Sequence, residues 1–152
     1  SIFSKNTNFI EFKVGEEINL KNNIKCKTMP LPHPGLNTAF RMYSNNFDFV
    51  YASDVEAEQS TTIDDIAMFS ANTQYVFIDS SYTDKELKER VGWGHLSYQQ
   101  VIDLAEKLKN SKVLIFHHDF FRSDKELDEI LSNVLTKSNN LSVCKELSEF
   151  KF

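Results

Sequence analysis

The sequence predicts an α/β fold in which short strands come first and helices alternate with strands afterwards. Two runs are apolar throughout, Tyr75-Val76-Phe77-Ile78 and Val113-Leu114-Ile115-Phe116, as expected of strands covered on both faces. Three segments, Thr83–Glu86, Ser97–Gln100 and Ser123–Glu126, place a hydroxyl three residues ahead of Glu or Gln, the reciprocal cap that opens a helix. Strands first and strand–helix–strand units later give a mixed layer architecture.

In chain order, Phe9–Lys13 alternates and is closed by a turn at Gly15-Glu16, which predicts a first strand. Ile24–Met29 alternates and is expected to stop at Pro30, which has no N–H for a ladder. Phe40–Tyr43 and Phe49–Ala52 flank Ser44-Asn45-Asn46, a polar turn of hairpin length. Thr62-Ile63-Asp64-Asp65 is expected to cap a short helix running through Phe69. The Thr83 cap opens a helix that must end by Gly92. Behind the Ser97 cap, Val101, Leu104, Ala105 and Leu108 form one helical stripe. Behind the Ser123 cap, Leu127, Ile130, Leu131, Val134 and Leu135 do the same, and Leu141–Cys144 reads as a last edge strand.

The 152 residues suit one unit with ordinary globular composition, 41% hydrophobic and 26% charged. A net charge of −5 lacks the basic face that nucleic-acid binding needs, although a bound cation pair would leave room for a small anionic substrate. Cys26 and Cys144 are too few for a disulfide framework and read as buried free thiols, which suits a reducing cytoplasm. No apolar stretch approaches the roughly 18 residues of a membrane span. Ser1-Ile2-Phe3-Ser4-Lys5 lacks the order of a signal peptide.

All four histidines cluster in two short patterns. His33 lies in Leu31-Pro32-His33-Pro34-Gly35, where flanking prolines stiffen the chain and aim the imidazole; read alone, it is a loop histidine or a ligand. Asp54 follows the apolar strand end Phe49–Ala52, where a carboxylate serves as a cap, a solvated loop group or a metal ligand. His95 ends Gly92-Trp93-Gly94-His95, just ahead of a capped helix, a place suited to an anionic substrate. His117-His118-Asp119 follows Val113–Phe116; adjacent side chains cannot both face one way, so one histidine is the better ligand, or else the pair packs at the strand terminus. Residues just past the ends of buried strands open toward a crevice outside the sheet edge, and imidazole with carboxylate suits zinc, iron or manganese.

Taken in order, these segments resemble the second half of the metallo-β-lactamase-fold hydrolases, in particular the phosphodiesterase-like members related to ribonuclease Z. Phe40-Arg41-Met42 through Val50-Tyr51-Ala52-Ser53-Asp54, Val76–Thr83, Gly92–His95 and Leu114–Asp119 carry the resemblance, which extends from about Phe9 to Leu131. It implies the C-terminal half of an αββα sandwich: a mixed sheet with flanking helices, residues 1–152 forming one unit. It also implies two divalent ions, zinc first, with manganese or iron accepted by the same ligands. His33 would ligate the first ion, Asp54 would bridge both, and His117 (or His118 in its place) would ligate the second. Asp79 and His95 would serve the catalytic site beside the metals or on the substrate phosphate. The implied chemistry is attack by a metal-bridging hydroxide on a phosphodiester. Two departures stand out. Leu96 replaces a small hydroxyl residue, and the HxHxDH cluster of the family's first half is absent.

The expectation is therefore a hydrolase half that is inactive alone, because each zinc site normally takes three or more protein ligands. It would need a complementary N-terminal half, or a second copy of itself. A half-fold also leaves one sheet face bare, expected to be that of Val50, Val76, Ile78, Leu114 and Phe116. The alternative is a non-catalytic binding or assembly module that retains the scaffold.

Overall fold

Among the described residues seven strands pair in chain order, and that ordering decides which face of the sheet is covered. The computed structural model describes residues 9–57 and 60–150; the Ser1–Lys5 stretch lies outside them. β1 (Glu17–Asn19), β2 (Lys25–Leu31), β3 (Asn37–Tyr43) and β4 (Asp48–Ala52) pair antiparallel. β5 (Tyr75–Asp79), β6 (Lys112–Phe116) and β7 (Leu141–Val143) extend the sheet parallel to β4. Helices make the crossovers: α1 (Ser60–Phe69), then α2 (Asp84–Glu89) with α3 (Tyr98–Lys107), then α4 (Asp124–Val134). Such crossovers are right-handed almost without exception. Each one here steps to the next strand in the same direction, so one handedness stacks the helices on one face.

The core follows from that geometry. Val50, Val76 and Val113 stand in register across β4, β5 and β6, as do Ala52, Ile78 and Ile115. All six are fully buried and join Ile66, Val101, Leu104 and Leu131 of the helices in one cluster. This corrects the expected bare face: Val50, Val76 and Ile78 lie under the helices. The alternate residues Phe49, Tyr51, Phe77, Leu114 and Phe116 point the other way, because side chains on a strand change face at every step. That second face is aromatic, with Phe49 against Phe77 (5.8 Å) and Tyr51 against Phe116 (5.1 Å). Parts of the chain's ends lie over it, Phe12 on Phe40 and Phe150 on Phe77, while Tyr51 stays 43% exposed.

Local signals set the helix starts. All three capping boxes form, with Thr83, Ser97 and Ser123 each accepting from the backbone N–H three residues on. α1 begins by Ser60, two residues before the expected start, and Thr62 is buried inside its first turn. β2 runs through Pro30 to Leu31. β1 pairs only as far as Lys27, so Pro30 sits where β2 is an open edge and no N–H is required on that side. The expected strand at Phe9–Lys13 is irregular chain. The turn there is held down when Gly15 N–H donates to Thr28 Oγ1 (2.9 Å), and β1 forms after it.

The far end of α3 is tied by Asn140, whose amide donates to the carbonyls of Ala105, Leu108 and Ser111. Asn140→Ala leaves these acceptors without their partner and is expected to cost about 1–3 kcal/mol, read as a lower urea midpoint with an unchanged slope. Cys26 is buried and Cys144 partly so, and both are free. Among the described residues no helix is long and apolar enough to cross a membrane.

Candidate metal centre

Three neighbouring parallel strands end at the same edge, and each delivers one polar side chain there. β4 is followed by Ser53 and Asp54, β5 ends in Asp79, and β6 is followed by His117. The fourth group, His95, comes from the loop between α2 and α3. One ligand atom from each of Asp54, Asp79, His95 and His117 lies within 4.8 Å of the others.

The backbone is bent to achieve this. Asp54 and His117 both take left-handed conformations, φ 53° and 58°, which cost a residue bearing a Cβ roughly 1–2 kcal/mol. Strain of this kind persists where surrounding bonds hold it and gathers at functional sites. Here Asn37 Nδ2 donates to the Asp54 carbonyl (3.0 Å), and Asp54 N–H donates to Asp79 Oδ2 (3.0 Å). Ser81 Oγ donates to the His117 carbonyl. The Ser53 hydroxyl donates to Asp54 Oδ2 and lies 3.5 Å from His117 Nδ1, and His117 Nε2 is 3.3 Å from Asp54 Oδ1.

Asp79 and His95 form a tight pair, with Nδ1 of the imidazole 2.7 Å from Oδ2. Asp79 is fully buried, and that burial pushes its carboxyl above the ordinary value despite the pull of His95. The same hydrogen bond pushes His95 up. Nδ1 is committed to the carboxylate, so Nε2 is the nitrogen available to a substrate or an ion. Two carboxylates this close repel one another, and a cation between them relieves that repulsion. Carboxylate oxygens with imidazole nitrogens form a donor set that suits zinc, iron or manganese.

The remaining sequence candidates are placed as follows. His118 turns toward the helices, with Nδ1 3.2 Å from the Ser80 carbonyl and its ring stacked on Tyr98; burial pushes its pKa down. His33 stands beside the quartet and outside it, its ring centre 6.3 Å from that of His95. Its Nδ1 accepts from Gly35 N–H (3.1 Å). Gly94, at φ +87°, lies flat against this imidazole: a Cβ there would fall 2.2 Å from His33 Cδ2.

Sequence reading missed Ser53, Ser81 and Glu56. The two serines adjoin or closely follow site carboxylates, but their bonds are fixed only when three strand ends meet. The Arg90–Asp119 ion pair (2.6 Å) also borders the site, its guanidinium over the rings of Tyr82 and Trp93. Tyr82 in turn packs against His95.

Comparison with known proteins agrees with this fold. A sequence model described as "Beta-lactamase superfamily domain" matches residues 2–118. The metallo-beta-lactamase fold protein YhfI from Bacillus subtilis is similar in structure, with TM-score 0.71 and 17% identity over 99% of this chain and 57% of that one. A diphosphatase from the PhnP family superposes with TM-score 0.64 and 15% identity, over 93% of this chain and 48% of its own. The short form of human tRNase Z gives TM-score 0.53 and 13% identity, over 64% and 36%. The chain thus spans little more than half of the YhfI protein and less of the other two. No curated protein sequence matches it at a meaningful level.

Proposed function

The chain belongs to the beta-lactamase superfamily, and from that premise we propose that it is the C-terminal half of a dinuclear metal-dependent phosphodiesterase. The observation that carries the reading is the convergence of Asp54, Asp79, His95 and His117 at one sheet edge. The resemblance to a diphosphatase and to a tRNase supports phosphate esters as the substrate class.

Asp54 and His117 would hold the cation in this reading, and His33, beside them, would serve a neighbouring ion. Bound divalent ions, zinc above all, would activate water at neutral pH and offset charge building on the phosphate. The residues of this chain do the rest. Ser53 orients the Asp54 carboxylate by donating to it. Asp79 fixes the His95 tautomer and keeps the ring protonated toward higher pH, so that His95 Nε2 holds a proton for the departing oxygen. Asp54, His117 and His33 are too few protein ligands to fill two ion sites, and the aromatic sheet face offers a docking surface. A complementary N-terminal half bearing the missing histidines fits both needs.

Native mass spectrometry of the protein as isolated, with turnover of bis(p-nitrophenyl) phosphate, tests the proposal. The expected result is a complex with a second polypeptide that holds two divalent ions per pair and is catalytically active. A metal-free monomer without turnover overturns it in favour of a non-catalytic module on the same scaffold.

A further inference from the structure

We infer that Glu56 is a positioning residue that locks three loops of the candidate centre to one another. The inference rests on reading Asp54 and His117 as cation ligands beside the Asp79–His95 pair, and it concerns what holds that group in shape.

Glu56 lies two residues beyond Asp54 and is 5% exposed, a burial that carboxylates almost never reach without a partner. It forms no ion pair among the described residues. Its two oxygens are taken instead by backbone N–H groups, Oε1 by Gly92 and Oε2 by Gly94 (2.9 Å). Its own N–H donates to the Pro32 carbonyl (2.8 Å). One residue thus bonds the segment before His33 through its backbone and the loop before His95 through its side chain, while continuing the chain from Asp54.

The glycines make this possible. Gly92 and Gly94 have φ of +83° and +87°, a region that glycine enters at no steric cost; their amides meet the carboxylate, while the Trp93 N–H between them donates to the Arg90 carbonyl (3.2 Å). Gly94 also presses against the His33 ring, so a shift of this loop moves His33 and His95 together. Hydrogen bonds to a carboxylate are roughly twice as strong as neutral ones. Metal and catalytic sites tolerate only about 0.5 Å of misplacement. Two of the three loops follow β2 and β4 and the third joins α2 to α3, and Glu56 ties them together, one through its backbone and one through its side chain.

The test is Glu56→Gln in the full chain, with Asn140→Ala as a control that weakens the opposite edge of the sheet. A glutamine has one acceptor, so one glycine amide must face an NH₂ group. Three quantities are followed: the Gly92 and Gly94 amide proton shifts, the NOE from the His33 ring to Gly94 Hα, and Co²⁺ affinity from its visible absorption. In Glu56→Gln we expect both amides to move upfield, the NOE to weaken and Co²⁺ affinity to fall tenfold or more. Asn140→Ala is expected to melt at least as early and to keep wild-type Co²⁺ affinity. Affinity within twofold of wild type in Glu56→Gln, or an equal loss in Asn140→Ala, overturns the inference. If the wild-type chain takes up no Co²⁺, the cation reading fails, and the NMR signals then judge Glu56 by themselves. Displaced Gly92 and Gly94 amides with a weakened NOE uphold the tie, and unchanged ones overturn it.

Discussion

Asp54→Asn is expected to abolish divalent-cation uptake while the chain keeps its fold. Asparagine tolerates the left-handed φ of 53° found at this position and still offers an oxygen to the Ser53 hydroxyl. The negative charge shared with His117 and Asp79 is lost. Removing even an outer-shell partner of a metal costs about 10–100-fold in affinity, so loss of a central carboxylate should cost more than about 100-fold. Calorimetric titration with Zn²⁺ measures this, and a melting temperature within a few degrees of wild type shows that the fold survives. In the complete assembly, Asp54→Asn and His117→Ala should each cut turnover by orders of magnitude. Unchanged Zn²⁺ affinity together with unchanged turnover in both variants would sink the assignment.

The second large effect separates the two faces of the sheet. Ile78 is fully buried among the helices, and Ile78→Ala should cost about 2–5 kcal/mol through lost burial and the cavity left behind. Tyr51, one strand over and on the opposite face, is 43% exposed. Tyr51→Ser should change stability by less than about 1 kcal/mol, yet weaken docking of the complementary half at least tenfold, because aromatic anchors dominate such interfaces. Urea denaturation reads the first quantity and titration with the partner polypeptide reads the second. Equal stability losses in the two variants would mean that both faces are already covered in the isolated chain.

Much of this was legible before any coordinates, for a physical reason. The capping boxes at Thr83, Ser97 and Ser123 are bonds between residues three apart, so the sequence states them directly. The apolar runs at Tyr75–Ile78 and Val113–Phe116 identify β5 and β6 because a strand buried on both faces cannot carry polar groups. Asp54 and His117 stand out because each is polar just past an apolar strand, and Asp79 is added by the resemblance to metallo-β-lactamase-fold hydrolases.

Tertiary structure decided the rest. Alternation along a strand says which residues share a face, but not which face the helices cover. Crossover handedness and strand order settled that, and they moved Val50, Val76 and Ile78 to the side opposite the one expected. The Phe9–Lys13 alternation never became a strand, and a side-chain bond from Thr28 to the distant Gly15 amide holds the turn that follows. The choice between His117 and His118 turned on a backbone twist at His117, which no propensity of the local sequence encodes. His95 reached Asp79, and His33 stopped beside Gly94, because Glu56 grips a loop 36 to 38 residues away. The sequence by itself determined the elements and the chemical types at their ends, since these depend on neighbours within a turn or a strand. Only the folded chain decided which of those groups meet, since that depends on contacts between residues far apart.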